Sequence, residues 1–143
     1  MHRIRRFIAV ATCTTFALLL GLPLALYSLG LSGVDGRPQK PLKLASAEQK
    51  IAVWKRARGE DMPFVAADNP YSYVASVFFA QGPHTTPGQL VTWWVARDYL
   101  VRHKRYKGMG WWHLSGAALA IWMSRNWTSD EILTAAAQLR QSA

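Results

Sequence analysis

Two groups of residues in this chain could carry chemistry. Glu60 and Asp61 are adjacent and lie between Gly59 and the apolar Met62-Pro63-Phe64. A carboxyl group beside apolar neighbours and a second negative charge has its pKa raised, as a general base working near neutral pH requires. The same pair also fits a solvated turn at a helix end. The second group is Arg102, Lys104, Arg105 and Lys107, followed by Trp111 and Trp112. Lys and Arg each gain about 1 kcal/mol near an anionic surface and Trp favours the interface, so this segment suits anionic lipid headgroups or a diphosphate. A solvated loop beside core tryptophans accounts for it equally. Other chemistries lack their residues. His2, His84, His103 and His113 are isolated, and there is no H-x-x-x-H, C-x-x-C or clustered carboxylate pattern, so neither a metal nor a cofactor is expected. Serine and cysteine nucleophile signatures and Gly-rich phosphate loops are also missing.

Residues of either group need a scaffold, and 143 residues of which 50% are hydrophobic supply one domain at most. The formal charge of +9 arises from 17 Lys and Arg against 8 Asp and Glu. Three of the positive charges, Arg3, Arg5 and Arg6, form a cap before Phe7 to Leu31, 25 residues without a charge. About 20 such residues cross a bilayer core. Gly21 and Pro23 are tolerated in membrane helices, and Tyr27 suits the far interface. Cys13, the lone cysteine, falls inside this run and packs there as a small hydrophobe. The basic cap places the N-terminus in the cytoplasm by the positive-inside rule, and the rest of the chain outside. A cleaved signal peptide is the rival reading, but its apolar core is shorter and ends in a small-residue cleavage site. With the cap set aside the net charge is +6, which does not call for nucleic acid as a partner.

Ser32 to Leu44 is rich in Gly, Pro and Lys and reads as a linker. Beyond it, helix start signals recur. Ser46-Ala-Glu-Gln49 is a capping box opening a helix to about Arg58, with Ala47, Ile51 and Trp54 on one face and Gly59 as the stop. Asn69-Pro70 opens an apolar helix from Tyr71 to Ala80, and Thr86-Pro87-Gly-Gln89 opens another from Leu90 to about Arg102. Gly108-Met-Gly110 breaks the chain before a helix from Trp111 to Arg125. Thr128-Ser-Asp-Glu131 opens the last, to about Gln141. The expected core is Trp54, Phe78, Val95, Leu119, Ile121 and Ile132.

Glu60-Asp61-Met-Pro-Phe64 fits the E-D-x-x-F motif of the peptidoglycan glycosyltransferases, the family 51 transglycosylases, and the layout of a basic tail, one membrane helix and an external helical domain is similar to theirs. Pro87 to Asp98 falls near the spacing of their G-G-S-T-x-x-Q-Q-L-A-[KR]-N motif: Gly88, Ala96 and Arg97 match, Gln89-Leu90 replaces Ser-Thr, and Trp93-Trp94 replaces Gln-Gln. Met123 to Leu133 resembles their L-E-R-R-Y-S-K-D-E-I-L stretch. Counting back from it puts Trp112-His113 at the family's Arg-Lys pair and Gly116 at its second glutamate.

The resemblance implies a fold and a set of roles. The fold is all-α: one transmembrane helix (1–31), a linker (32–44) and a small lysozyme-like domain of about five short helices (45–143). Glu60 would be the base that removes the proton from the attacking sugar hydroxyl, with Asp61 orienting it, and Arg97, Arg102, Lys104 and His113 would bind the substrate diphosphate. Loss of the second glutamate and of the Gln-Gln and Arg-Lys pairs favours a degenerate, non-catalytic binding or scaffold protein over an active polymerase of lipid II glycan strands. The expected location is the inner membrane with the domain periplasmic. The expected partners are membrane lipid, lipid II or peptidoglycan, and other cell-envelope proteins, with no nucleic acid.

Overall fold

The computed structural model describes residues 2–72 and 86–139. Five helices are described in full, α1 (His2–Ser32), α2 (Ala47–Arg56), α3 (Pro87–His103), α4 (Met109–Asn126) and α5 (Ser129–Leu139), joined by irregular segments. Among the described residues there is no strand, only an isolated antiparallel bridge between Val34 and Lys104. The expected all-α class is observed.

Three helices start where side chains satisfy the first orphan N–H groups. The Gln49 backbone N–H donates to Ser46 Oγ (3.3 Å) while Gln49 Oε1 accepts from the Ser46 N–H (2.9 Å). Thr86 and Gln89 repeat the box at 3.3 and 3.1 Å. At α5 the Glu131 N–H donates to Thr128 Oγ1 (3.2 Å) and Glu131 Oε2 accepts from the Thr128 N–H (2.7 Å). Of the helix expected from Tyr71 to Ala80, only the first turn, Pro70 to Ser72, is described. Its cap forms, with Ser72 N–H donating to Asn69 Oδ1 (2.8 Å). Phe78, expected in the core, and His84 lie outside the described residues.

Packing proceeds from helix to helix: α1 lies on α4, α4 on α3, α3 on α5, and α5 on α2. Val91, Val95 and Leu100 of α3 meet Leu119 and Met123 of α4 and Ile132 and Leu133 of α5, all 6% exposed or less. Trp54, Val95, Leu119, Ile121 and Ile132 are buried as expected. The inward face of α2 differs from the expected stripe. Val53, Trp54 and Ala57 are buried, whereas Ile51 is 44% exposed, because only the C-terminal half of this short helix docks. The helix also ends earlier than Arg58. Arg58 itself takes the left-handed conformation (φ 62°), and Gly59 lies flat against the Trp54 indole, where a β-carbon would overlap the ring.

The segment read as a linker is docked at both ends. Asp35 N–H donates to the His103 carbonyl (2.7 Å) and Arg105 N–H to the Gly33 carbonyl (3.0 Å), and Arg105 pairs with Asp35. Further on, Lys40 Nζ lies 3.0 Å from Glu131 Oε2, and the Ala45 N–H donates to Thr134 Oγ1 at 3.0 Å inside the bundle.

The Glu131 carboxyl is held below its ordinary value, first by the Thr128 backbone N–H it accepts, which outweighs the opposing effect of burial, and further by Lys40. A depressed carboxyl contributes stability that is present at neutral pH and is lost as pH falls through and below the ordinary carboxylate range near about 4.3. Thermal unfolding between pH 7 and 3 should therefore show a fall in midpoint, and Glu131→Gln should flatten it by removing the titrating group.

Candidate functional site

Glu60 and Asp61 follow α2 in the loop that crosses under the bundle, and both are exposed. The apolar enclosure expected around them does not form: Met62 and Phe64 point outward at 87% and 68% exposure. The loop itself is fixed, since Val65 N–H donates to Ser129 Oγ (3.0 Å) and Asp68 N–H to Ser124 Oγ (3.0 Å). It ends at α1, where the Tyr71 hydroxyl donates to the Leu20 carbonyl (2.9 Å). That carbonyl adjoins the one of Leu19, whose helical donor Pro23 removes.

The other candidate residues are not gathered around Glu60. Arg97 is an exposed residue of α3, Arg102 pairs one turn away with Asp98, and His113 is exposed on α4. Among the described residues no hydrogen bond or ion pair joins Glu60, Asp61, Arg97 or His113 to another side chain. Gln89, at the position of the family serine, is spent on the α3 cap and on Asp68, to which its Nε2 donates at 2.9 Å. Trp94 stacks under Arg56, whose guanidinium carbon is 5.1 Å from the ring centre.

Trp93 and Gly116 face each other across the α3–α4 contact. Gly116 is buried, and a β-carbon placed on it would sit 2.6 Å from Cη2 and Cζ3 of Trp93. The space that a side chain at 116 would need is filled by indole.

The basic-aromatic segment lies at the opposite end of the bundle from Glu60 and Tyr71. Here α3 ends, α4 begins, and Gly33 closes against Ser115 and Trp111. Lys104 Nζ stands 5.7 Å from the Trp112 ring centre, and Tyr106 leans on Trp111 with centroids 4.4 Å apart. Of the four cations, Arg102 and Arg105 are paired with Asp98 and Asp35. No carboxylate pairs with Lys104 or Lys107 among the described residues. A cavity of about 230 Å³ opens beside Lys104, walled by Tyr106, Trp111 and Trp112 and floored by Ser115. Sequence reasoning passed over Ser115, which carries no motif, and took Gly108 for a simple break. The one legible signal was that α4 starts on a glycine with no capping side chain, unlike α2, α3 and α5.

The described residues hold no group of three or more His, Cys, Asp or Glu side chains able to bind a metal ion. Among the described residues one helix, Val10–Ser32, is long and apolar enough to cross a membrane. Together these features describe an all-helical protein with one candidate span. Comparison with protein-family models, curated proteins and solved structures gives no match.

Proposed function

We propose that this chain is a single-span cell-envelope protein whose lysozyme-like helical domain is a degenerate relative of the peptidoglycan glycosyltransferases, acting as a non-catalytic binding or scaffold module. The observation that carries the reading is the Trp93–Gly116 contact. Where the resemblance calls for a second glutamate, the backbone is bare and buried under the indole that replaces a glutamine. An exposed Glu60 alone offers a base with no group to stabilise a leaving diphosphate. Cell-envelope proteins and membrane lipid are the partners this reading assigns.

In the same reading α1 crosses the inner membrane with the N-terminus inside and the bundle outside. A core of about 30 Å needs about 20 residues at 1.5 Å each and, counted from Phe7, ends at Leu26. The side chains of Leu18, Leu19 and Leu20 are 55 to 66% exposed, as lipid-facing residues would be. Tyr71, bonded to Leu20, then lies about 9 Å short of that boundary, with its hydroxyl satisfied by the Leu20 carbonyl. Gly33, against which the basic segment packs, follows seven residues after Leu26, about 10 Å beyond the boundary. Charged and polar groups at the Tyr71 end, including Arg125 and Asp68, argue against deeper burial of the bundle.

The decisive experiment is lipid II polymerisation by the purified full chain beside its Glu60→Gln variant. No glycan product from either is expected. Polymer made by the wild type and lost in the variant would overturn the non-catalytic reading in favour of a glycosyltransferase with Glu60 as general base. Crosslinking in intact cells should recover envelope proteins, and recovery of cytoplasmic proteins alone would contradict the topology.

A further inference from the structure

We infer that the end of the bundle closed by the loop of residues 59–69 is a membrane-docking face, seated in the outer leaflet beside α1, with Met62 and Phe64 as its inserted side chains. The inference rests on the proposed reading of α1 as a span, and it names the surface that meets lipid.

Three helix ends fix where this loop lies. The Phe64 carbonyl and Val65 lie against Gly88 in the first turn of α3. Val65 N–H donates to Ser129 Oγ at the start of α5, and Asp68 N–H donates to Ser124 Oγ in the last turn of α4. The loop therefore closes one end of the bundle, and Tyr71 ties that end to α1 at Leu20.

The position of this end along α1 follows from how α4 packs. Trp111 and Ser115 meet Gly33, and Leu114 and Ala118 meet Gly30, so α4 runs antiparallel to α1 and its last turn points back along the span. Residues 7–20, the apolar part of α1 that precedes the Tyr71 contact, number 14. They cover about 21 Å of a hydrocarbon core of about 30 Å. The remaining stretch of roughly 9 Å runs alongside the bundle, which places the closed end within the outer leaflet.

The side chains at this end are ordered by depth as that position requires. The Tyr71 hydroxyl is satisfied by a backbone carbonyl and needs no water. Met62 and Phe64 point outward from a loop whose backbone is held by α4 and α5. Arg125 leaves α4 in its last turn, yet its guanidinium lies within electrostatic range of the Tyr27 hydroxyl, one residue past the boundary at Leu26. Arg37 is in range of the same hydroxyl and stands 5.9 Å from the Trp122 ring centre. Among the described residues neither arginine pairs with a carboxylate. Both gather at the level of the lipid phosphates, toward which a cation beside hydrocarbon extends. Glu60 and Asp61 limit the depth. They belong to the α2 end of the loop, and α2 packs on α5 and α3, away from α1. That side of the face sits among headgroups, so Met62 and Phe64 enter only the upper part of the leaflet, as interfacial apolar residues do. Lipid is the occupant because the face lies beside the span at a depth that acyl chains already fill.

The test uses the full chain with Cys13→Ala in vesicles of phosphatidylcholine and phosphatidylglycerol. A nitroxide is attached to one introduced cysteine at a time: Phe16→Cys in α1, Met62→Cys, Phe64→Cys, or Lys107→Cys at the opposite end of the bundle. Relaxation by oxygen, which concentrates in hydrocarbon, and by a neutral nickel chelate, which stays in water, reads the depth of each label. The Met62→Cys and Phe64→Cys chains should give oxygen-to-nickel ratios severalfold above that of Lys107→Cys, approaching that of Phe16→Cys. Circular dichroism of each labelled chain should match the wild type, since all four positions are exposed. Water-like ratios for Met62→Cys and Phe64→Cys with a lipid-like Phe16→Cys would overturn the docking face and leave the anchor standing. Low accessibility of both loop labels to oxygen and nickel alike would show a second copy of the chain on this face and overturn lipid as its occupant. A water-like ratio for Phe16→Cys would remove the anchor and the docking face together.

Discussion

A Gly116→Glu chain should fail to fold stably rather than gain a second carboxylate for catalysis. The first side-chain atom would stand 2.6 Å from two carbons of the Trp93 ring, closer than any packing tolerates. Overpacking of this kind costs about 1–3 kcal/mol. An unpaired carboxylate in a buried α3–α4 contact adds about 3–5 kcal/mol. Against a typical total of about 5–15 kcal/mol the sum removes most of the stability. Denaturant unfolding followed by far-UV circular dichroism would measure this. Trp93→Ala in the same chain should recover part of the loss, because the two positions share one volume and their effects cannot add. A Gly116→Glu chain with the wild-type midpoint would show that the indole moves aside freely and would remove the main support for a filled cleft.

The second large effect is expected at Gly30. A β-carbon there would lie 2.6 Å from both the Leu114 carbonyl oxygen and the Ala118 methyl of α4. The carbonyl belongs to a helix backbone and cannot rotate away, so Gly30→Leu must push α1 off α4. The expected loss is about 2–3 kcal/mol, read as a fall of roughly 10 °C or more in the unfolding midpoint. Gly21→Leu is the matched control. Nothing lies within 4 Å of a β-carbon at that position, and replacing a helical glycine favours the helix by roughly 0.8 kcal/mol. Equal midpoints for the two variants would mean that α1 and α4 are not packed together.

Much of this architecture could be read in the chain because its signals are local. Ser46, Thr86 and Thr128 each precede a Gln or Glu by three residues, and each opens a helix through the reciprocal bonds that this spacing allows. Trp54 and Ile132 reach the core on the apolar sides of amphipathic helices, whereas Val95 and Leu119 belong to helices without a single apolar side and are buried because neighbouring helices cover them. What could not be read depends on contacts far along the chain. Ser32 to Leu44 has the composition of a spacer, yet its backbone finds acceptors at His103 and its Lys40 finds Glu131, partners that no local pattern announces. The candidate site was legible as a list of residues but not as a place. Glu60 sits at one end of the bundle and Lys104 at the other, and motif spacing measures chain length rather than distance in space. The meaning of Gly116 likewise depended on Trp93, twenty-three residues away in the chain and in direct contact with it in the fold.

The docked segment from Ser32 to Leu44 changes how this domain can meet anything else. Thirteen flexible residues would let a tethered domain wander about 20 Å from its anchor point and turn through all orientations. Fastened to His103, Arg105 and Glu131, the same residues grant neither freedom. Wherever α1 is held, the bundle is held with it at one height and one tilt. The search for a partner then depends on lateral diffusion and rotation about a single axis. A partner anchored in the same plane with a complementary height would experience a high effective concentration of this surface, and one at the wrong height would experience none.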